Sequence, residues 1–169
     1  MSAHDISRKK RLLAISLDGF PSTLLTQMVS SNSFSATRSL MPKHNPWRMQ
    51  SLYPTVSSVA WSSYMSGRNP GEHGIFGFID KSGDPPKFFL PNAGHRHGKT
   101  IWNVLGDNDL KSIVVNIPVT YPPEPLNGVM ISGFLGVDLA KSVYPPSLFP
   151  ELKQAGYSID AETGQAQTK

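Results

Sequence analysis

Cysteine is absent from the 169 residues, and with it go disulfides, thiolate zinc sites and cysteine nucleophiles. Any metal bound here needs Asp, Glu or His. Charge is also sparse: 16 Lys and Arg face 12 Asp and Glu, a formal +4, much of it in Arg8-Lys9-Lys10-Arg11. Residues 1–10 read as a flexible basic N-terminus and residues 11–169 as one folded portion. Such a cluster attracts phosphate or anionic lipid, but no aromatics interleave with it, which argues against a stable nucleic-acid complex. Long apolar runs are missing too. Leu12 to Leu17 is stopped by Asp18-Gly19, well short of the roughly 20 residues that span a bilayer and too short for a signal segment. The expectation is a cytoplasmic, soluble protein with no membrane partner.

What is present alternates between strand and helix signals. Leu12 to Leu17 is near-continuously apolar, as in a parallel strand covered on both faces. Pro21 suits a helix start, with Leu24, Leu25, Met28 and Val29 on one face. Ser30 to Ser39 reads as a loop, and Met49 to Tyr53 as a short strand. Ser58 to Ser66 follows as a helix, with Ala60 spaced to meet Tyr64, Trp61 spaced to meet Met65, and Gly67 as its stop. The Gly- and Pro-rich stretch from Gly67 to Gly98 is a long, partly ordered excursion. Thr100 to Leu105 is a helix, Ser112 to Ile117 and Val129 to Ser132 are strands, and the proline-rich segment between them is a loop. Pro146 to Gln154 is a late helix ended by Gly156, and Tyr157 to Asp160 begins another strand. The fold class is α/β, a mostly parallel sheet with helices on both faces. A doubly wound sheet rarely finishes in Ala-Glu-Thr-Gly-Gln-Ala-Gln-Thr-Lys, so an N-terminal portion of a larger domain is expected.

Two residues stand where open α/β sheets place their chemistry, at the carboxyl ends of strands. Asp18 closes the first apolar run, and its carboxylate suits a divalent cation; a cap on the following helix is the other reading. Ser57 opens the helix of Tyr-Pro-Thr-Val-Ser-Ser-Val-Ala-Trp, where N–H groups and the helix dipole favour phosphate oxygens. A hydroxyl becomes a nucleophile only when a base or metal lowers its pKa, and capping by Ser57 or Ser58 is again the alternative. Asn116, Thr120 and Tyr121 border the loop after a strong strand and are candidate substrate contacts, unless the prolines there merely stiffen a crossing loop. His95 and His97 alternate as metal ligands on a strand would, but Gly94 and Gly98 point to a turn and a chance pair. Trp61, Trp102 and the phenylalanines near Phe76 read as core or lid packing.

Leu-Asp18-Gly, then Tyr-Pro-Thr-Val-Ser57-Ser-Val-Ala-Trp-Ser-Ser-Tyr-Met-Ser-Gly, then Arg-Asn-Pro-Gly-Glu-His73-Gly-Ile-Phe-Gly-Phe resembles the type I phosphodiesterase/nucleotide pyrophosphatase branch of the alkaline phosphatase superfamily. Val-Val-Asn-Ile-Pro-Val-Thr-Tyr-Pro-Pro-Glu-Pro and Val-Met-Ile-Ser-Gly-Phe-Leu-Gly are similar to later segments of the same proteins. The resemblance runs from about Leu12 to about Tyr157. It implies an alkaline-phosphatase-like fold and a hydrolase of phosphodiesters or nucleotide pyrophosphates that uses two divalent metal ions, zinc or manganese. Asp18 and Ser57 would be metal ligands, Ser57 the catalytic nucleophile that becomes a phospho-serine, and Ser58 a neighbouring substrate contact. His73 matches the pattern away from its ligand positions and takes a structural or pocket-wall role.

This chain departs from the family pattern in two ways. Ala60 stands where nucleotide pyrophosphatases carry an Asn for a phosphate oxygen, so their substrate preference does not transfer. The remaining family ligands, including an Asp-His pair, lie in a C-terminal half, and no Asp-His dipeptide occurs in this sequence. The expected partners are therefore a small phosphoester or phosphoanhydride and a missing C-terminal half of the same domain. A non-catalytic remnant that binds a phosphorylated ligand or partner is the alternative, and a phosphomonoesterase or sulfatase-like hydrolase a further one.

Overall fold

The computed structural model describes residues 11–31, 49–134, 136 and 138–159. The expected basic N-terminus, most of the Ser30 to Ser39 loop and Asp160 lie outside them. The chain divides into two compact units, up to Gln50 and from Ser51 onward.

The described part of the first unit holds one helix, α1 (Ser22–Ser30). Pro21 is its N-cap, in extended backbone, one position earlier than its fixed φ suggested. Leu25, Met28 and Val29 are half-buried along one face, while Leu24 is exposed. The run before it is not a strand. Residues 11–17 carry no ladder among the described residues, and Leu12 is 94% exposed. A helix satisfies its own backbone, but a strand needs a neighbour to accept and donate.

The second unit is built on a three-stranded sheet of β3 (Ser112–Ile117), β4 (Gly128–Ser132) and β5 (Val143–Tyr144). β3 and β4 are parallel, with Ser112 opposite Gly128 and Val115 opposite Ile131. β5, which the sequence pattern did not reveal, runs antiparallel to β4. Among the described residues the mostly parallel sheet is thus shown only in part, as one parallel pair and one antiparallel strand. Met49 to Tyr53 forms no strand, and neither do residues 157–159.

Helix α2 (Ser57–Ser66) is closed by Gly67 in the left-handed region at φ 65, the conformation glycine adopts most cheaply. Its buried face consists of Ser58, Val59, Ser62, Ser63 and Met65. Tyr64 is 49% exposed, so the face suggested by Ala60 and Tyr64 is not the one that packs. Ser62 and Ser66 turn their hydroxyls back onto the carbonyls of Ser58 and Ser62, which lets so polar a face enter the interior. Met65 joins Trp102, Val114 and Met130 in the core, flanked by Trp61, Ile117, Leu126 and Tyr144.

The excursion between Gly67 and Gly98 is structured throughout. It contains α3 (Pro70–His73), a hairpin of β1 (Asp80–Ser82) and β2 (Lys87–Phe89), and a 3-10 turn at Ala93–His95. Asn69 and Asn92 each close a capping box, so local side-chain bonds replace apolar periodicity as the ordering force. Helix α4 (Ile101–Gly106) starts on a Thr100 capping box, and α5 (Phe149–Gln154) follows a 3-10 turn at Pro146–Leu148. No described helix is long and apolar enough to cross a membrane.

Met130 is fully buried at the centre of this core. Met130→Ala is expected to cost about 2–5 kcal/mol, read as a lowered urea midpoint, whereas exposed Ile113→Thr should change stability by no more than about 0.5 kcal/mol.

Candidate active site

The start of α2 is held by a contact that the spacing did not announce. Val56, not a serine, occupies the N-cap, and no side chain caps the helix. Ser58 is 3% exposed, and its hydroxyl donates to the Gly77 carbonyl at 2.7 Å. Neither serine is therefore spent as a cap. Ser57 is half-buried in the first turn, where the backbone N–H groups have no carbonyl one turn earlier in the helix to bond. A hydroxyl beside such groups is suited to an anionic oxygen.

Gly77 leads to Phe78, whose ring meets Phe134 edge-to-face at 5.8 Å. Phe134 stands two residues beyond the end of β4. This chain of contacts brings the beginning of α2 to the carboxyl edge of the parallel pair. The phenyl groups are not core: Phe76, Phe78 and Phe134 are all exposed, which removes the core half of the expected core or lid packing, while Phe78 and Phe134 pack on each other. Trp102, by contrast, is buried in the core.

The loop after β3 is tied down at Thr120 and Tyr121. Thr120 is 2% exposed; its hydroxyl donates to the Ile117 carbonyl at 2.6 Å and accepts the Gly133 N–H at 3.2 Å. Its carbonyl accepts from the Ser132 hydroxyl at 2.9 Å. Tyr121 is half-buried, and its carbonyl receives the Ala93 N–H. Asn116 is exposed at the sheet edge. Asp18 is exposed in the turn before α1, and no side-chain bond caps that helix, so the capping reading of Asp18 falls away.

The three described histidines hold the fold. His73 is fully buried; its Nδ1 accepts the Ile75 N–H at 3.1 Å, and its Nε2 lies 2.8 Å from the Ser63 hydroxyl. With Nδ1 accepting, Nε2 carries the proton and donates, so this imidazole does not serve as a base toward Ser63. His95 closes the 3-10 turn through Nδ1 and stacks on Phe89 with ring centroids 4.4 Å apart. His97 lies against Gly74 instead, so the two histidines form no strand-face pair. Among the described residues no group of three or more His, Asp or Glu is placed to hold a metal. They do not, by themselves, form a metal cage.

Sequence reasoning missed an ion pair between a buried arginine and a half-buried glutamate. The Arg96 side chain, 4% exposed, approaches Glu124 at 3.4 Å. The same carboxylate oxygen accepts from the Trp102 indole and the Thr100 hydroxyl. The only advance signal was Glu124 amid prolines, where an acidic residue is normally solvated. Its effect is to fasten the excursion and α4 to the loop before β4.

Burial holds the His73 imidazole below its ordinary pKa of 6.5, the nearby Arg96 charge adds to this, and Glu72 opposes it. The unfolded chain therefore takes up a proton first as pH falls. The neutral-imidazole contribution is intact above 6.5 and is lost as pH drops from there toward the lowered folded value. Urea midpoints should accordingly fall between about pH 7.5 and pH 5.5, and His73→Asn should flatten that difference.

No curated protein and no solved structure matches the chain significantly. A family model does: residues 12–161 match type I phosphodiesterase / nucleotide pyrophosphatase. That span takes in Asp18, Ser57, the excursion and both parallel strands, and the chain belongs to the type I phosphodiesterase/nucleotide pyrophosphatase family.

Proposed function

We propose that this chain, by its family a hydrolase of the phosphodiesterase/nucleotide pyrophosphatase type, acts on small phosphoesters. We propose that Ser57 is its nucleophile and that the reaction passes through a covalent phospho-serine. The observation that carries this reading is the opening of α2: Ser57 in the first helical turn, with the capping role vacant and the hydroxyl of Ser58 diverted to Gly77.

In the first step the Ser57 Oγ–P bond forms and the P–O bond to the leaving alcohol or phosphate breaks. The Ser57 proton passes to solvent water, and the departing oxygen takes one proton from solvent. In the second step water adds its oxygen to phosphorus and gives up one proton to solvent, and the P–Oγ bond breaks as Ser57 Oγ takes a proton back, which regenerates the serine. First-turn N–H groups of α2 stabilise the charge that builds on the non-bridging oxygens. The proline-stiffened loop with Thr120 and Tyr121 supports the substrate side of the edge, and Asn116 stands at its rim.

Two divalent ions, zinc or manganese, are proposed as cofactors, with Asp18 and Ser57 among their ligands. The described residues do not complete that ligand set, and the remaining ligands are proposed to come from outside them. Such ions act as Lewis acids on phosphoryl oxygens. A cytoplasmic location is the proposed setting, in keeping with a cysteine-free chain.

Ser57→Ala should lower phosphodiesterase kcat by at least about 1000-fold, and Asp18→Asn by a comparable factor, with thermal midpoints unchanged. A chelator should abolish turnover, and added zinc or manganese should restore it. Full activity in Ser57→Ala, measured on bis(4-nitrophenyl) phosphate, would show that another group attacks phosphorus. Equal or better turnover of a phosphomonoester or an aryl sulfate would reassign the substrate class.

A further inference from the structure

Asn116 sits at a fault in the sheet. The β3–β4 register passes from Val115 opposite Ile131 to Ile117 opposite Ser132, leaving Asn116 outside the pairing. Such a bulge re-aims a side chain and recurs beside active sites. The backbone of Asn116 is left-handed at φ 57, and Val119 follows at φ 62, a conformation few L-residues adopt. The bulge is pinned from behind, because a Cβ at Gly133 would lie 2.6 Å from the Asn116 carbonyl carbon.

A second tether arrives from far along the chain. The Tyr157 hydroxyl donates to Asn116 Oδ1 at 3.0 Å. An amide whose oxygen is held this way turns its two N–H donors to the opposite side. Asn116 is exposed, and its Nδ2 meets no acceptor among the described residues. A bulge, a strained backbone and a fixed amide thus converge to present one pair of donors at the carboxyl edge of β3.

We infer that the Asn116 Nδ2 group binds an oxygen of the phosphoester substrate and that Tyr157 is the positioning residue that fixes the amide's orientation. This rests on the hydrolase reading above and narrows it to one atom and one supporting side chain. The competing account is a purely structural tie between β3 and the segment after α5. The two differ in a measurable way, because glycine is at ease at φ 57. Asn116→Gly removes the amide without straining the fold.

The experiment uses the native protein with bis(4-nitrophenyl) phosphate as the probe. Asn116→Gly is expected to raise KM about tenfold, with kcat within about threefold and the thermal midpoint unchanged or higher. Asn116→Asp should raise KM further, since a carboxylate offers no N–H and repels the anionic ester. Tyr157→Phe should raise KM about threefold alone and add nothing in the Asn116→Gly background, the mark of a residue acting through its partner. In ¹⁵N-labelled Ser57→Ala protein, the Asn116 side-chain amide signals should shift when the probe is added. An unchanged KM in Asn116→Gly with silent amide signals would overturn the inference, and so would additive effects of Tyr157→Phe. If Ser57→Ala stays fully active while Asn116→Gly loses affinity, the nucleophile is wrong and this inference stands. If the native protein leaves the probe intact, the hydrolase reading falls, and the amide titration alone decides the inference.

Discussion

The parallel pairing of β3 with β4 is the constraint on which the second unit depends. Parallel strands need a long crossover, here the loop through Thr120, Tyr121 and Glu124, and both strands then end at the same edge. The loop that leaves β3 and the chain that leaves β4 must share that edge. Gly133 permits it, because only a residue without a Cβ fits against the Asn116 backbone. The Thr120 hydroxyl then stitches the two exits together through Ile117 and Gly133.

Around this edge the interior is more polar than a small α/β unit requires. Ser58, Ser62, His73, Thr100, Thr120, Ser132 and Ser142 are each no more than 3% exposed. Each of these seven side chains carries a hydrogen bond with it, as burial demands, while the buried Ser112 Oγ and Arg96 Nε meet no partner among the described residues. Glu124 shows the logic at its most costly, since one oxygen serves Arg96, Trp102 and Thr100. Without that carboxylate the Trp102 indole would lose its acceptor, whereas Thr100 would keep Asn103 and Arg96 the Gly98 carbonyl. Bonds of this kind fix geometry more than they add stability, which suits a site that must hold a hydroxyl and a sheet edge in register.

The strands Ser112–Ile117 and Gly128–Ser132 were legible because β-branched and apolar residues run uninterrupted between loop signals. The helix after Val56 and its Gly67 stop were legible for similar reasons, and the motif order around Asp18 and Ser57 pointed to the family. The buried side of α2 was not, because serines that bond back to their own helix look polar to any periodicity count. The two-residue strand β5 and the hairpin at Asp80–Phe89 were too short to leave a pattern. Leu12 to Leu17 misled in the opposite sense. Its composition promised a strand, yet pairing is a property of two segments.

The sequence by itself determined the chemical types in play: no thiols, a carboxylate after an apolar run, and a serine at a helix start within the family's motifs. These are local facts, set by residue identity and by spacing along one element. Only the tertiary structure decided that Ser58 bonds Gly77, that Thr120 is a clamp, that His73 is a proton donor inside the fold and that Tyr157 reaches Asn116. Those partners lie between 2 and 41 positions apart, and no periodicity encodes them. Hydrogen bonds of this kind form only where the core of Met65, Trp102, Val114 and Met130 has excluded water and brought distant segments within reach of one another.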